Sequence, residues 1–310
     1  MSAERPTLDH RNAGIMAVSI TTVAWGLVPL VLKQIHMPTL AFAAYRLMMG
    51  ALVYAVVLAV TRRRLTWTIL KTCALGGVVF GADVVLSFAA YRLTSVANAT
   101  IIGALAPVFI TLGAARWFGE RVERRDLLFI GLSFVGVAAV AVGSEGSPTW
   151  SPLGDLFAVM GIFSWTGYWL FSKRARRTVP ALEYMACVML VAAVELTVLG
   201  FATGTSMAPP RGSDWAWIWL ITIFPGALGH LMLAWSHRHV EAWLGALITQ
   251  CQPVVASVAA WIILGESLTA LTIVGGLVVL GATASILMRG SRRPDAITES
   301  DEPLVPPASG

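Results

Sequence analysis

Residues Ala97–Glu120 read ANATIIGALAPVFITLGAARWFGE, and residues Trp243–Glu266 read WLGALITQCQPVVASVAAWIILGE. Each is an apolar run with a proline near its middle and a Gly-Glu pair at its end. Pro107 and Pro253 stand 146 positions apart, and so do Glu120 and Glu266. A long internal repeat dictates architecture, so it is read before any local feature. Each run is long enough for a helix to cross about 30 Å of hydrocarbon. The pair therefore predicts a membrane helix interrupted at its centre and used twice.

The rest of the chain suits lipid as well. Of 310 residues, 57% are hydrophobic and 13% charged, and the mean hydropathy is +0.75. A soluble domain carries about 25% charged residues. The apolar runs are far longer than the alternating strands of roughly 10 residues in a membrane β-barrel. Ten spans are expected, at 14–33, 39–60, 71–90, 95–117, 126–143, 153–172, 181–203, 215–235, 240–264 and 269–288. They divide into a tail (1–13), a five-helix unit (14–143), a linker (144–152), a second five-helix unit (153–288) and a disordered tail (289–310). Cys73, Cys187 and Cys251 show neither paired nor metal-ligand spacing, so no disulfide framework is expected. The mixed charges of the first residues and the long run that follows predict no cleavable signal.

The basic residues orient the chain. Eighteen of the 22 lysines and arginines, among them Arg62, Arg63, Arg64, Arg121, Arg176 and Arg238, fall on the side that holds the amino terminus. Only Lys33, Arg92 and Arg211 fall on the other, and Arg46 lies within a span. The positive-inside rule then puts both termini in the cytoplasm. It also explains the pI of 9.4 without nucleic acid, with anionic inner-leaflet lipid as the counterpart. Five spans per unit force the second unit to enter from the opposite side. Trp25 and Lys33 match Trp165 and Lys173 at 140 positions, and Arg92 matches Arg238 at 146, which implies one insertion between them. The expected fold is all-α, ten transmembrane helices in two inverted five-helix repeats. Inverted repeats with interrupted helices are a recurrent architecture of secondary transporters.

Trp25-Gly26, Tyr45-Arg46, the run ending at Pro107, and the Gly-Glu pairs ending at Glu120 and Glu266 also carry a likeness. Over 14–288 the chain resembles the EamA-type ten-helix group of the drug/metabolite transporter superfamily. The resemblance implies transport of a small solute, often export of amino acids or metabolites, through a cavity between the halves. It does not imply one substrate. The second copy departs in having Thr166 after its tryptophan and Gln250, Cys251 and Gln252 ahead of its proline.

Several residues are candidates for the work. Pro107 and Pro253 each remove a backbone donor and free a carbonyl one turn earlier, so they read as hinges on the substrate path or as packed kinks. Asp83 lies about 18 Å into the third span, and Arg46 about 10 Å below the opposite face. The depths nearly coincide, so an ion pair between them is expected, either static or at work on a substrate. Asp83, Glu195 and His230 are the candidates for proton coupling, because ionisable groups within a membrane are functional by default. His230 reads equally as a hydrogen-bonded histidine between helices. Gln250 and Gln252 suit a polar solute beside a broken helix, or hydrogen bonding between helices. Trp25 and Trp165, with Tyr168 and Trp169, are expected to wall the cavity. Glu120 and Glu266 are read as complementing the dipole of the helix that follows each. His237 and His239 are read as solvated residues of a cytoplasmic loop, and two histidines alone make no metal site.

An integral-membrane enzyme would need a catalytic constellation, and the sequence holds no HExxH, nucleophile elbow or Walker loop. No catalytic residue, cofactor or metal is expected. The reading is a multi-pass secondary transporter of the cell membrane, an exporter of small polar metabolites such as amino acids, working by alternating access. The alternatives are an uncoupled, channel-like permease and a membrane scaffold or sensor. Partners are a small solute and lipid, with no nucleic acid. A monomer suffices for the pathway, and the oligomeric state is open.

Overall fold

The structure is a computed structural model that describes residues 8–32, 34–145 and 151–290. The expected match of Lys33, most of the 144–152 linker and the tail from 291 lie outside the described residues. Among these residues all regular structure is helical. The first half holds α1 (Leu8–Gly26), α2 (Val28–Leu32), α3 (Thr39–Val60), α4 (Trp67–Leu93), α5 (Val96–Gly103), α6 (Ala106–Phe118) and α7 (Arg124–Glu145). The second holds α8 (Pro152–Ala175), α9 (Ala181–Ala202), α10 (Asp214–Ile221), a π-helical segment (Thr222–Gly229) and α11 (His230–Ser236). It continues with α12 (Ala242–Thr249), α13 (Gln252–Ala259), a second π-helical segment (Ala260–Leu264) and α14 (Ala270–Gly290).

Among the described residues nine helical runs are long and apolar enough to cross a membrane. Their outer faces are apolar: Leu128 and Phe201 are 72% and 69% exposed. Such side chains are stable outside only where the surroundings are hydrocarbon. The expected span 153–172 coincides with α8, which has the length but not the apolarity of the nine. Its 24 residues include Asp155, Ser164, Thr166, Tyr168, Ser172, Lys173 and Arg174. Two other spans differ from expectation. The first helix is already formed at Leu8, ahead of 14, and in this added stretch Arg11 pairs with Glu241 at 3.3 Å. The eighth is no plain α-helix but α10, a π-helical segment containing Pro225, and α11.

The Gly-Glu pairs have a local cause. Gly119 and Gly265 close their helices in the left-handed region, with φ of 69° and 70°. Glycine adopts that conformation without the Cβ penalty. In each copy the amide of the following glutamate then bonds a carbonyl six residues back: Glu120 N to Ala114 O at 3.4 Å, and Glu266 N to Ala260 O at 3.3 Å.

Packing intercalates the two halves. α4 lies against α8 and α9, α3 against α9, α1 against α11 and the first π-helical segment, and α7 against α14. The α7–α14 contact brings backbones together. A Cβ added to Gly136 would fall 2.8 Å from Gly275 O, and one on Gly275 would fall 2.7 Å from Gly136 O. Small residues at such crossings let membrane helices gain dispersion contact where no hydrophobic effect drives them.

Candidate functional site

The site begins at the two interruptions. α5 stops at Gly103 and α6 resumes at Ala106, with Pro107 in its first turn. α12 stops at Thr249 and α13 resumes at Gln252, with Pro253 in its first turn. Each gap is bridged by tighter turns, Leu105 N to Ile102 O at 3.0 Å and Cys251 N to Ile248 O at 3.1 Å. Proline can donate no bond to the preceding turn, so the helix must restart. Gln250 Nε2 donates to Ala104 O at 2.8 Å, joining one interruption to the other. Gln250 is buried and committed to that carbonyl. Gln252 is half-buried, and its backbone carbonyl approaches Gly26 of α1.

Beside the breaks lies an aromatic cluster built from both halves. Trp25 of α1 meets Trp165 of α8 edge-on at 5.8 Å, and Trp165 stacks on Tyr168 at 5.3 Å. The His230 ring sits between Trp25 at 4.7 Å and Phe80 of α4 at 4.9 Å. Its Nδ1 is buried without a hydrogen-bond partner. The ring is flanked by aromatic faces, and its Nδ1 makes none of the interhelical hydrogen bonds that one reading of the sequence expects.

The π-helical segment lies alongside this cluster. Its wide turns and Pro225 leave carbonyls that must be satisfied in a dry interior. Three side chains do so: Trp25 Nε1 donates to Pro225 O at 2.8 Å, Thr21 Oγ1 to Gly229 O at 3.0 Å, and Tyr54 Oη to Ala227 O at 2.6 Å. Trp25 therefore fixes this segment as well as lining the cluster.

The intramembrane charges fall on three sides of this core. Arg46 of α3 has Nε buried and unpartnered, in a narrow crevice with Gly50, Met189, Gly226 and Thr222, whose hydroxyl is also unpartnered. Asp83 stands one turn beyond Phe80 on α4, and its Oδ1 accepts from Ser87 Oγ of the same helix at 3.4 Å. Glu195 of α9 presses against Gly81 of α4, with Oε2 buried and unpartnered. Ion pairs among the described residues join Arg11 to Glu241, Arg63 to Glu183 and Lys173 to Glu120, and His36 Nδ1 lies 3.8 Å from Asp214. The expected Arg46–Asp83 pair is not formed. α3 and α4 meet each other only slightly, and both pack against α9.

A sequence model of the EamA-like transporter family matches this chain twice, over residues 12–142 and 152–288. The chain belongs to the EamA-like transporter family. A probable amino-acid metabolite efflux pump of Salmonella typhimurium is 27% identical over 286 residues, 87% of this chain and 93% of that protein. An uncharacterized transporter of Archaeoglobus fulgidus is 23% identical over 274 residues, 86% of this chain and 93% of that one. A solved structure with 18% identity superposes with a TM-score of 0.80, covering 92% of this chain and 99% of its own, and shares the fold. The chain is thus a multi-pass membrane transporter, not an enzyme.

At both ends of this EamA-like bundle, polar contacts join segments of the two halves. On the basic face Lys173 pairs with Glu120 at 2.9 Å, and Glu120 accepts the amide of Ala242 at 3.0 Å. Glu120 therefore caps α12 of the other half, not the α7 that follows it, because Gly119 turns the chain away. His237 is also corrected. It is 3% exposed, packs on Trp169 at 4.7 Å and bonds Ser172 Oγ at 2.7 Å. Burial, then Lys173 and Arg176, hold it well below the usual imidazole range. His239 stacks on Trp235 at 4.2 Å and is only half-buried. On the opposite face Asp155 accepts from Thr94 at 2.9 Å and from Asn98, and Tyr45 donates to Met207 O at 3.0 Å. Phe80, Tyr54, Thr222 and Pro225 were not singled out as site residues from the sequence. Only the proline offered a signal there.

Proposed function

We propose that this chain is a secondary transporter that exports small polar metabolites, amino acids among them, by alternating access along a path between two inverted five-helix halves. Ten helices cross, α8 included, with both termini in the cytoplasm. The observation that carries the reading is a set of buried polar atoms without partners among the described residues, Arg46 Nε, Thr222 Oγ1, His230 Nδ1 and Glu195 Oε2, drawn from both halves, with the His230 ring against Trp25. Buried polar atoms are rarely left unpaired, and an unpaired group at a transporter's centre is a natural partner for solute. Arg46 with Thr222 suits a carboxylate, and Asp83 suits an ammonium or a proton. The name of the Salmonella relative supports the amino-acid class. That Trp25 meets its repeat mate Trp165, and Gln250 bonds Ala104, supports a two-fold relation between the halves.

The test is counterflow in proteoliposomes, using amino acids, polyamines, nucleobases and organic cations that stabilise the purified protein against heat. Saturable exchange of an amino acid, with KM raised roughly tenfold or more when Arg46 is replaced by Gln, is expected. Linear, non-saturating flux would favour a channel-like permease, and transport confined to solutes without a carboxylate would overturn the substrate class.

A further inference from the structure

A cleft of about 660 Å³ opens on the basic face, between the first half of α1, α11 and the turn joining α8 to α9. One wall is apolar, formed by Met16, Ile20, Leu231 and Trp235. Met16 and Ile20 are 60% and 48% exposed, so the mouth faces the acyl-chain region rather than only water. Arg63, Arg176 and Arg238 also line the cleft. Arg63 is engaged by Glu183 at 3.2 Å. Arg176 is buried and oriented by Ala234 O at 2.8 Å and by Val179 O, both neutral acceptors. Arg238 is exposed and forms no ion pair among the described residues.

We infer that this cleft is a specific site for an anionic phospholipid, whose phosphate lies between Arg176 and Arg238 while a chain follows the Met16–Ile20 wall. Three guanidinium groups against one carboxylate, Glu183, leave the pocket net positive. Arginine matches phosphate geometry with paired donors. Burial and the nearby Arg238 bring the Arg176 guanidinium down to about 10, a strain that a bound phosphate would relieve. A free soluble anion would use the arginines but leave the apolar wall idle.

Native mass spectrometry of the full chain, titrated with phosphatidylglycerol, phosphatidylcholine and water-soluble glycerol phosphate, tests this. Phosphatidylglycerol should bind more tightly than phosphatidylcholine. Each of R176Q and R238Q should weaken it about fivefold, the worth of roughly one basic residue near a membrane surface. R238Q alters an exposed side chain and carries the test should R176Q fail to fold. R125Q, on the same face but away from the cleft, should change nothing. Equal binding of the two lipids, an unchanged preference in R238Q, an R125Q loss matching that of R238Q, or full displacement by glycerol phosphate would each overturn the site.

Discussion

Asp83 is the residue whose chemistry bears most directly on coupling. Among the described residues its hydrogen bond comes from Ser87 on its own helix, and no cation pairs with it. D83N is expected to abolish the pH dependence of exchange, and transport by the variant at the wild-type rate with an unchanged pH profile would remove Asp83 from the mechanism. Arg46 acts differently if it meets a carboxylate. R46Q should raise KM by tenfold or more, the loss of a charge-assisted bond of about 1.5–3 kcal/mol, while leaving folding intact. His237 makes a prediction about stability. Its folded pKa lies below its unfolded value, so the unfolded chain binds more protons, and stability falls as pH drops below about 6.5. The slope should be at most about 1.4 kcal/mol per pH unit, and H237N should flatten melting curves recorded between pH 7 and 5.

At the scale of elements, the Gly-Glu pairs and the prolines belong to one device: a helix that breaks, restarts and ends in a left-handed cap. Gly119 and Gly265 have open space where a Cβ would stand, so G119A and G265A change backbone energy alone. Each should lower stability by about 1–2 kcal/mol, measured by thermal melting in detergent. An unchanged melting point would mean that the cap contributes nothing. The interrupted helices were legible in the sequence because proline and glycine act locally and leave fixed marks. The π-helical segment was not, since its register is sustained by Trp25, Thr21 and Tyr54 from distant helices. Pro225 marked the place without a repeat mate to raise its weight. The aromatic cluster was half legible: Trp25 and Trp165 matched across the repeat, while Phe80 and His230 joined them only through packing.

For the whole molecule, length and hydropathy told of membrane helices, but not which of them touch. The Arg46–Asp83 pair was expected from depth alone, and depth says nothing of which helix each one packs against; α3 and α4 both pack on α9. Glu120 likewise reads as a local cap until α12 is brought to it. These contacts bear on the central proposal: Lys173–Glu120–Ala242 join the halves at the basic face, and Asp155–Thr94 and His36–Asp214 join them at the opposite face. Alternating access, as proposed, requires each set to open in turn. The most direct measurement is pulsed electron spin resonance in liposomes. One pair of spin labels stands at Arg121 and Arg174 on the basic face, and another at Gln34 and Arg211 on the opposite face, all exposed positions. Adding a transported solute should lengthen one distance while shortening the other. Distances that stayed fixed at both faces, or widened together, would contradict alternating access between the two halves.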